Sequence, residues 1–164
     1  NYLQFFIPNR GEVLISNVVG AGEYRGKCEV AISEGVFAGH IVEIGNPHFI
    51  IEQKVSKGWL DRHGKEISEN KYFSQKTNVE FLWPGERPNE YNMLVYERGC
   101  GQTLACSSGA AAVTFFLCKK NRIDFGVEIS IRMRGGSVKS SVSNKGEIFL
   151  QASAQAVCRG ESIL

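Results

Sequence analysis

Short runs of alternating apolar and polar residues dominate the chain, and clusters of turn-forming residues separate them. The run at residues 3–7 ends at the turn Pro-Asn-Arg-Gly of residues 8–11, and a second run follows at residues 12–19, which predicts an N-terminal hairpin. The same pattern predicts further strands over residues 27–33, 39–44, 49–55, 77–83, 91–96, 127–133, 137–142 and 147–152.

One long helix is predicted over residues 107–121, with Ser107 or Ser108 as its N-cap and cationic residues at its C-terminal end. The body of this segment is apolar on every face, so we expect the helix to be buried. A shorter helix is predicted over residues 57–63. Many strands around one enclosed helix indicate an α+β domain, and no repeat or linker divides residues 1–164.

Composition narrows the class of protein. A chain of 164 residues with 43% apolar and 22% charged residues is long enough to bury one core. The formal net charge is only +2, which does not favour nucleic acid as a partner. The sequence has no apolar run near the roughly 18 residues of a membrane span and no signal-peptide pattern, so we expect a cytoplasmic protein without membrane association.

Cysteine and histidine spacing gives no metal signature. The five cysteines are odd in number and form no C-x-x-C pair, and the three histidines are scattered. We therefore expect neither a disulfide framework nor a metal site.

The segment ERGCGQTLACSSG at residues 97–109 is the most informative stretch. It leads from a predicted strand through a glycine-rich turn and places Cys106 at the first turn of the buried helix. The amides and dipole of a helix N-terminus favour a thiolate or a bound anion. The alternative is that Cys106 is a small core residue, that Ser107 and Ser108 are caps, and that the glycines only shape the turn.

Other polar residues lie at predicted turns, and each has a structural explanation that requires no function. Asn46 can be a turn former, His48 a solvated or core imidazole, and Asn78 part of the turn before its strand. Cys100 shares the turn that leads to Cys106. The turn at residues 135–136 is flanked by Arg132, Arg134 and Lys139. Charged residues that alternate along a strand are more typical of an exposed strand face than of an anion-binding site.

Four motifs in order resemble the diaminopimelate epimerase family, which interconverts L,L- and meso-diaminopimelate without pyridoxal phosphate. They are GNPH at 45–48, FSQKTNVEF at 73–81, YERGCGQTLACSSGA at 96–110 and GGS at 135–137. The resemblance covers essentially this whole chain but only about the C-terminal half of the family's length. It implies one lobe of a two-lobed fold, in which a mainly antiparallel β-sheet is wrapped around a central buried α-helix.

The family's other lobe carries a GNG-x-R-C motif, which this sequence lacks. The resemblance therefore implies that a missing N-terminal lobe is the partner of this chain and supplies the other half of a cleft. Residues 154–164 are expected to join the sheet of that lobe. A homodimer is left open.

The resemblance also implies roles at the site. Cys106 would be one of two opposed acid/base cysteines and Glu97 its polar partner, whereas His48 would assist the cysteine of the missing lobe. The amides of Ser107 and Ser108 would bind the α-carboxylate of a small amino-acid substrate. The distal end of diaminopimelate would be bound by Asn46, Asn78 and Arg98.

The implied mechanism needs no cofactor. One group removes the α-proton on one face, another returns a proton on the opposite face, and helix amides stabilise the charge that develops on the carboxylate. Since one cysteine cannot serve both faces, we expect this chain alone to be inactive.

The sequence departs from the family pattern at several positions. Ser107 and Ser108 replace the usual Gly-Thr, Ala111 replaces a second cysteine, and Gln102 stands where Glu is usual. Ser107 would be strained if its position required a positive φ. Three alternatives remain: a racemase or epimerase of the same fold acting on another amino acid, a cysteine hydrolase using Cys106 and His48, and a noncatalytic lobe that only binds or dimerises.

Overall fold

The computed structural model describes the backbone of residues 4–6 and 12–155 and the side chains of residues 20–153. Two helices lie within this part of the chain, α1 (Lys57–Ser68) and α2 (Ser107–Lys119). The strands are β1 (Gln4–Phe6), β2 (Glu12–Ala21), β3 (Glu23–Ile32), β4 (Gly35–Glu43), β5 (Pro47–Ile51), β6 (Asn78–Pro84), β7 (Glu90–Glu97), β8 (Gly101–Gln102), β9 (Ile129–Met133), β10 (Gly136–Val142) and β11 (Glu147–Gln155).

The strands form a single mixed sheet. Their order is β1-β2-β11-β10-β9-β7-β6-β5-β4-β3, and β8 pairs with β7. Among the described strands, two pairs are parallel, β5 with β6 and β7 with β9, and α1 and α2 lie in the two corresponding crossover connections. The α+β class and the mainly antiparallel sheet around a buried helix are therefore confirmed.

Element boundaries differ from the sequence predictions in a few places. The N-terminal hairpin is confirmed as β1 and β2, although residues 7–11 lie outside the described part of the chain. Helix α1 continues to Ser68 rather than ending at residue 63, and the two-residue β8 was not predicted. Of the segment 154–164, only Ala154 and Gln155 are described, and their backbones pair with β2.

Helix α2 is the centre of the core. Every residue from Gly109 to Cys118 is buried, as its all-round apolar sequence predicts. The one polar side chain in this stretch, Thr114, donates a 2.8 Å hydrogen bond to the carbonyl of Ala110, so burial leaves its hydroxyl satisfied. Strands on both sides of β7 contribute apolar side chains against the helix.

Helix α1 covers a second apolar cluster. Ser56 caps its start by accepting a 3.1 Å hydrogen bond from the backbone N–H of Trp59. Leu60 and Ile67 are fully buried against strand residues such as Phe81. Neither helix in residues 4–6 and 12–155 is long and apolar enough to cross a membrane.

Candidate active site

The first turn of α2 is built around Cys106. Contrary to the sequence prediction, Cys106 itself is the N-cap, and neither Ser107 nor Ser108 takes that role. Its backbone is extended, with φ of −140° and ψ of 112°, and its sulfur accepts a hydrogen bond from the amide of Gly109 at 3.4 Å. The hydroxyl of Ser108 lies 3.4 Å from the same sulfur.

Among the described residues, two backbone amides at this helix end have no hydrogen-bond partner. The first intrahelical bond runs from the N–H of Ala110 to the carbonyl of Cys106, so the amides of Ser107 and Ser108 precede it. The non-glycine residues with positive φ in the described backbone do not include Ser107, so the strain considered for a serine at this position does not arise. A carboxylate placed here would meet two unpaired donors and the positive end of the helix.

Burial determines the charge state of the thiol. Only 6% of Cys106 is exposed, and this burial raises its pKa to about 11, while the Ser108 hydrogen bond opposes the rise and the carboxylate of Glu80 adds to it. The thiolate expected from the helix terminus is therefore disfavoured, because desolvation outweighs the helix amides. At neutral pH, well below this pKa, the thiol of Cys106 carries its proton.

Glu97 lies near this site but is not bonded to the sulfur. Its carboxylate accepts a hydrogen bond from the hydroxyl of Thr103, and its charge contributes to the raised pKa of Cys106. The turn between the two residues depends on Gly99 and Gly101, whose φ values of 81° and 87° favour glycine. Glu97 thus acts on Cys106 through space in the described structure.

Asn78 ties the two predicted motif loops together. Its side-chain oxygen accepts a 2.9 Å hydrogen bond from the backbone N–H of Arg98, and its amide nitrogen donates a 3.1 Å bond to the carbonyl of Pro47. The residue is only 4% exposed. Much of its hydrogen-bonding capacity is therefore used inside the chain, which the sequence did not indicate.

His48 is held from both sides. Its Nδ1 lies 2.6 Å from Oε1 of Glu80, and its Nε2 lies 3.0 Å from Oδ1 of Asn46. The side chains of His48 and Glu80 are both completely buried, whereas Asn46 is half-buried. Two of the predicted site residues, Asn46 and His48, are therefore in direct contact.

Glu80 is the residue that sequence reasoning missed. It stands two positions after Asn78 in TNVEF, so the two side chains share one face of β6. A single carboxylate within an otherwise apolar strand is the signal that could have identified it, because such a group is buried only with a partner.

The exposed rim of the site is tied together by polar side chains. Arg98 donates from Nη1 to the carbonyl of Gln75 at 2.8 Å. The Gln102 side chain accepts a 3.1 Å hydrogen bond from Arg134 and donates one of 3.5 Å to the carbonyl of Lys57. It therefore links β8 to the turn between β9 and β10 and to the start of α1.

The remaining candidate groups have local partners. Arg132 pairs with Glu90 at 3.0 Å and Lys139 with Glu128 at 2.8 Å, which matches the predicted exposed face of alternating charge. Among the described residues, no three potential ligand side chains are grouped as a metal site would need.

Comparison with known proteins identifies relatives of this chain. A sequence family described as diaminopimelate epimerase matches residues 40–157. The diaminopimelate epimerase of Bacillus cereus (strain B4264) is 32% identical over 120 residues, which are 73% of this chain and 41% of that protein. The chain therefore spans less than half the length of this relative.

Solved structures share the fold at low sequence identity. A hydroxyproline epimerase from Agrobacterium vitis matches with a TM-score of 0.63 and 12% identity, over 89% of this chain and 52% of the other. A probable proline racemase from Agrobacterium radiobacter K84 matches with a TM-score of 0.65 and 9% identity, over 91% and 54% of the two chains. At these identities the likeness concerns the fold alone.

Proposed function

Because the chain belongs to the diaminopimelate epimerase family, we propose that it forms the C-terminal half of a cofactor-independent site that interconverts L,L- and meso-diaminopimelate. The observation that carries this proposal is the buried sulfur of Cys106 at the start of α2, beside the unpaired amides of Ser107 and Ser108. A second lobe, outside this chain, supplies the opposing acid/base group.

Cys106 acts first as the proton donor. Burial keeps its thiol protonated, with a pKa of about 11. A base on the second lobe takes the α-proton, the electron pair of the broken C–H bond moves toward the substrate carboxylate, and the S–H of Cys106 then delivers its proton to the opposite face. Cys106 is then a thiolate and the second-lobe group holds the α-proton. The reverse reaction, in which the two groups exchange roles, or proton exchange with solvent restores both starting states.

The first turn of α2 stabilises the carbanion. The α-carboxylate accepts hydrogen bonds from the amides of Ser107 and Ser108, where the helix terminus favours negative charge. Such fixed donors are most effective where water is excluded. In the proposed enzyme this exclusion is achieved by closure of the second lobe over Cys106.

Side chains around the loop at residues 45–48 select the substrate. Arg98 uses one of its five N–H donors on Gln75, which leaves donors for a distal carboxylate. Asn46 contacts His48 and is half-buried at the same rim. Glu97 assists Cys106 through its charge, and His48 assists the acid/base group of the second lobe.

A second candidate is epimerisation of another amino acid by the same site. The observation that favours it is the engagement of Asn78 by Pro47 and Arg98, which reduces what Asn78 can offer to a distal carboxylate. A cysteine hydrolase gains no support, because no hydrogen bond joins Cys106 to His48 among the described side chains and the thiol pKa is raised.

The test is a stereoisomer assay with matched substrates. The chain is mixed with a separately produced first lobe that carries the GNG-x-R-C motif, and L,L-diaminopimelate, L-lysine and L-proline are compared. We expect inversion of diaminopimelate by the mixture and none by the chain alone. Preferred inversion of lysine or proline would favour the second candidate, and inversion by the chain alone would overturn the half-site proposal.

A further inference from the structure

The side chain of Glu80 on β6 lies next to both His48 and the first turn of α2, which Cys106 caps. It is fully buried on β6, next to β5, and the parallel register pairs His48 with Asn78 two positions before it. Its Oε1 lies 2.6 Å from Nδ1 of His48. The carboxylate therefore contacts the one ring nitrogen that does not face Asn46.

The same carboxylate packs against the first turn of α2. A Cβ atom at Gly109 would come within 2.8 Å of Oε1 and 3.3 Å of Cγ of Glu80, and within 3.4 Å of Cβ of Cys106. Gly109 is not among the glycines with positive φ, so its backbone does not require glycine. The missing side chain instead makes room for Glu80 beside Cys106.

Placing a carboxylate here is energetically unfavourable without compensation. Within the described part of the chain, Oε2 of Glu80 is buried and has no hydrogen-bond partner. A buried, partly unsatisfied carboxylate destabilises the fold strongly unless a cation or strong donor faces it. His48 provides that donor, and its second nitrogen faces the oxygen of Asn46, so both N–H groups of the ring are satisfied when it carries both protons.

We propose that Glu80 is a positioning residue of this site, which holds the His48 ring through Nδ1 so that Nε2 is directed to Asn46. This inference rests on the proposed function only for the role of His48 in the reaction. Because the carboxylate also packs against the start of α2, a change at Glu80 acts on Cys106 as well as on His48.

Loss of the Glu80 charge should lower the pKa of Cys106. Burial raises the pKa of this thiol most, and the negative charge of Glu80 raises it further because it opposes ionisation. Removing that charge while keeping the side-chain shape therefore makes the thiolate easier to form. Both signals should move in the same folded variant, because the Glu80 carboxylate lies beside both groups.

The test uses nuclear magnetic resonance of this chain with ¹⁵N-labelled histidine, and it requires no activity. In the unmodified chain we expect the Nδ1 of His48 to be protonated and its proton to resonate further downfield than any other histidine N–H, since charge-assisted hydrogen bonds are short and strong. A His48 protonated only at Nε2 would overturn the proposal without any variant.

Glu80→Gln then removes the charge, and Glu90→Gln serves as the matched control because Glu90 is paired with Arg132 on β9. In folded Glu80→Gln we expect the downfield proton to move upfield and the thiolate titration of Cys106 to shift down by about one pH unit or more. The control should move neither signal. An unchanged His48 proton in folded Glu80→Gln would contradict the proposal even if the stereoisomer assay succeeds.

Discussion

The side-chain oxygen of Asn78 accepts a hydrogen bond from the backbone N–H of Arg98 at 2.9 Å, while the amide nitrogen of the same side chain donates to the carbonyl of Pro47 at 3.1 Å. One buried amide thus joins the start of β5 to the turn after β7. These two segments carry Asn46, His48 and Glu97, so their relative position depends on this bridge.

Replacement of Asn78 by alanine should loosen that bridge. Two part-buried backbone groups would each lose a partner, so we expect Asn78→Ala to lower the free energy of unfolding by about 2 kcal/mol in urea denaturation. Asn92→Ala is the matched control, because Asn92 donates a solvent-accessible 3.2 Å bond to Pro84 and should change stability by about 0.5 kcal/mol or less. Equal losses in the two variants would contradict the bridging role.

Two helical glycines provide a test of the packing of Glu80. Gly109→Ala places a methyl group 2.8 Å from the Glu80 carboxylate, and we expect a loss of about 1 to 3 kcal/mol. Gly58 lies in an exposed turn of α1, where the added methyl group would be 3.7 Å from Nη1 of Arg62. Gly58→Ala should therefore stabilise the chain by up to about 1 kcal/mol. A neutral or stabilising Gly109→Ala would show that the carboxylate does not fill this space.

Alkaline pH should destabilise the fold through Cys106. Burial raises the pKa of this thiol from an ordinary 9.0 to about 11 in the folded state, so the unfolded chain loses its proton first. Between about pH 9 and pH 11 the unfolded state therefore binds fewer protons, and stability falls as pH rises, by up to about 3 kcal/mol for this group.

Cys106→Ser should reduce that pH dependence, measured as the free energy of unfolding at several pH values. Cys118 has a pKa raised to about 11 by its own burial, so Cys118→Ser should remove a comparable share. An unchanged slope in Cys106→Ser would mean that the thiol is not held in its protonated form by the fold.

The rates at which cysteines of the isolated chain are alkylated at neutral pH should follow the solvent exposure of their side chains. Cys100 is exposed, whereas Cys106 is buried and mainly protonated, so we expect a small alkylating reagent to label Cys100 first, with Cys106 at least about tenfold slower. Peptide mapping after timed exposure distinguishes the two sites. Faster labelling of Cys106 would support the stabilised thiolate that the sequence suggested.

The sequence predicted most of the fold because the signal for each element is local. Helix α2 follows from an apolar run with a polar start, and nearly every strand follows from alternation between turns. Strand β8 was missed because its two residues are too few to show a period. The end of α1 was set too early, since its last turn is held by the carbonyl of Thr77, which accepts from the Ser68 hydroxyl.

The sequence motifs indicated candidate residues for the site, whose roles stay predictions, but they did not indicate the contacts between these residues. The motifs named Cys106 and His48, yet the burial of the thiol arises from strands distant in sequence, including Met133, whose sulfur accepts from the Cys106 amide. The bridging role of Asn78 and the pairing of His48 with Glu80 depend on strand register, which the sequence pattern does not specify.

The proposed role of Cys106 is to exchange the α-proton of the substrate, which solvent deuterium incorporation would reveal. The chain mixed with a first lobe is incubated with L,L-diaminopimelate in deuterated water, and α-deuterium in the meso product is followed. We expect Cys106→Ser to lower the rate at least about 100-fold, whereas Cys100→Ser in the same turn should leave it within about twofold. Deuterium incorporation by Cys106→Ser at the rate of the unmodified chain would contradict the claim.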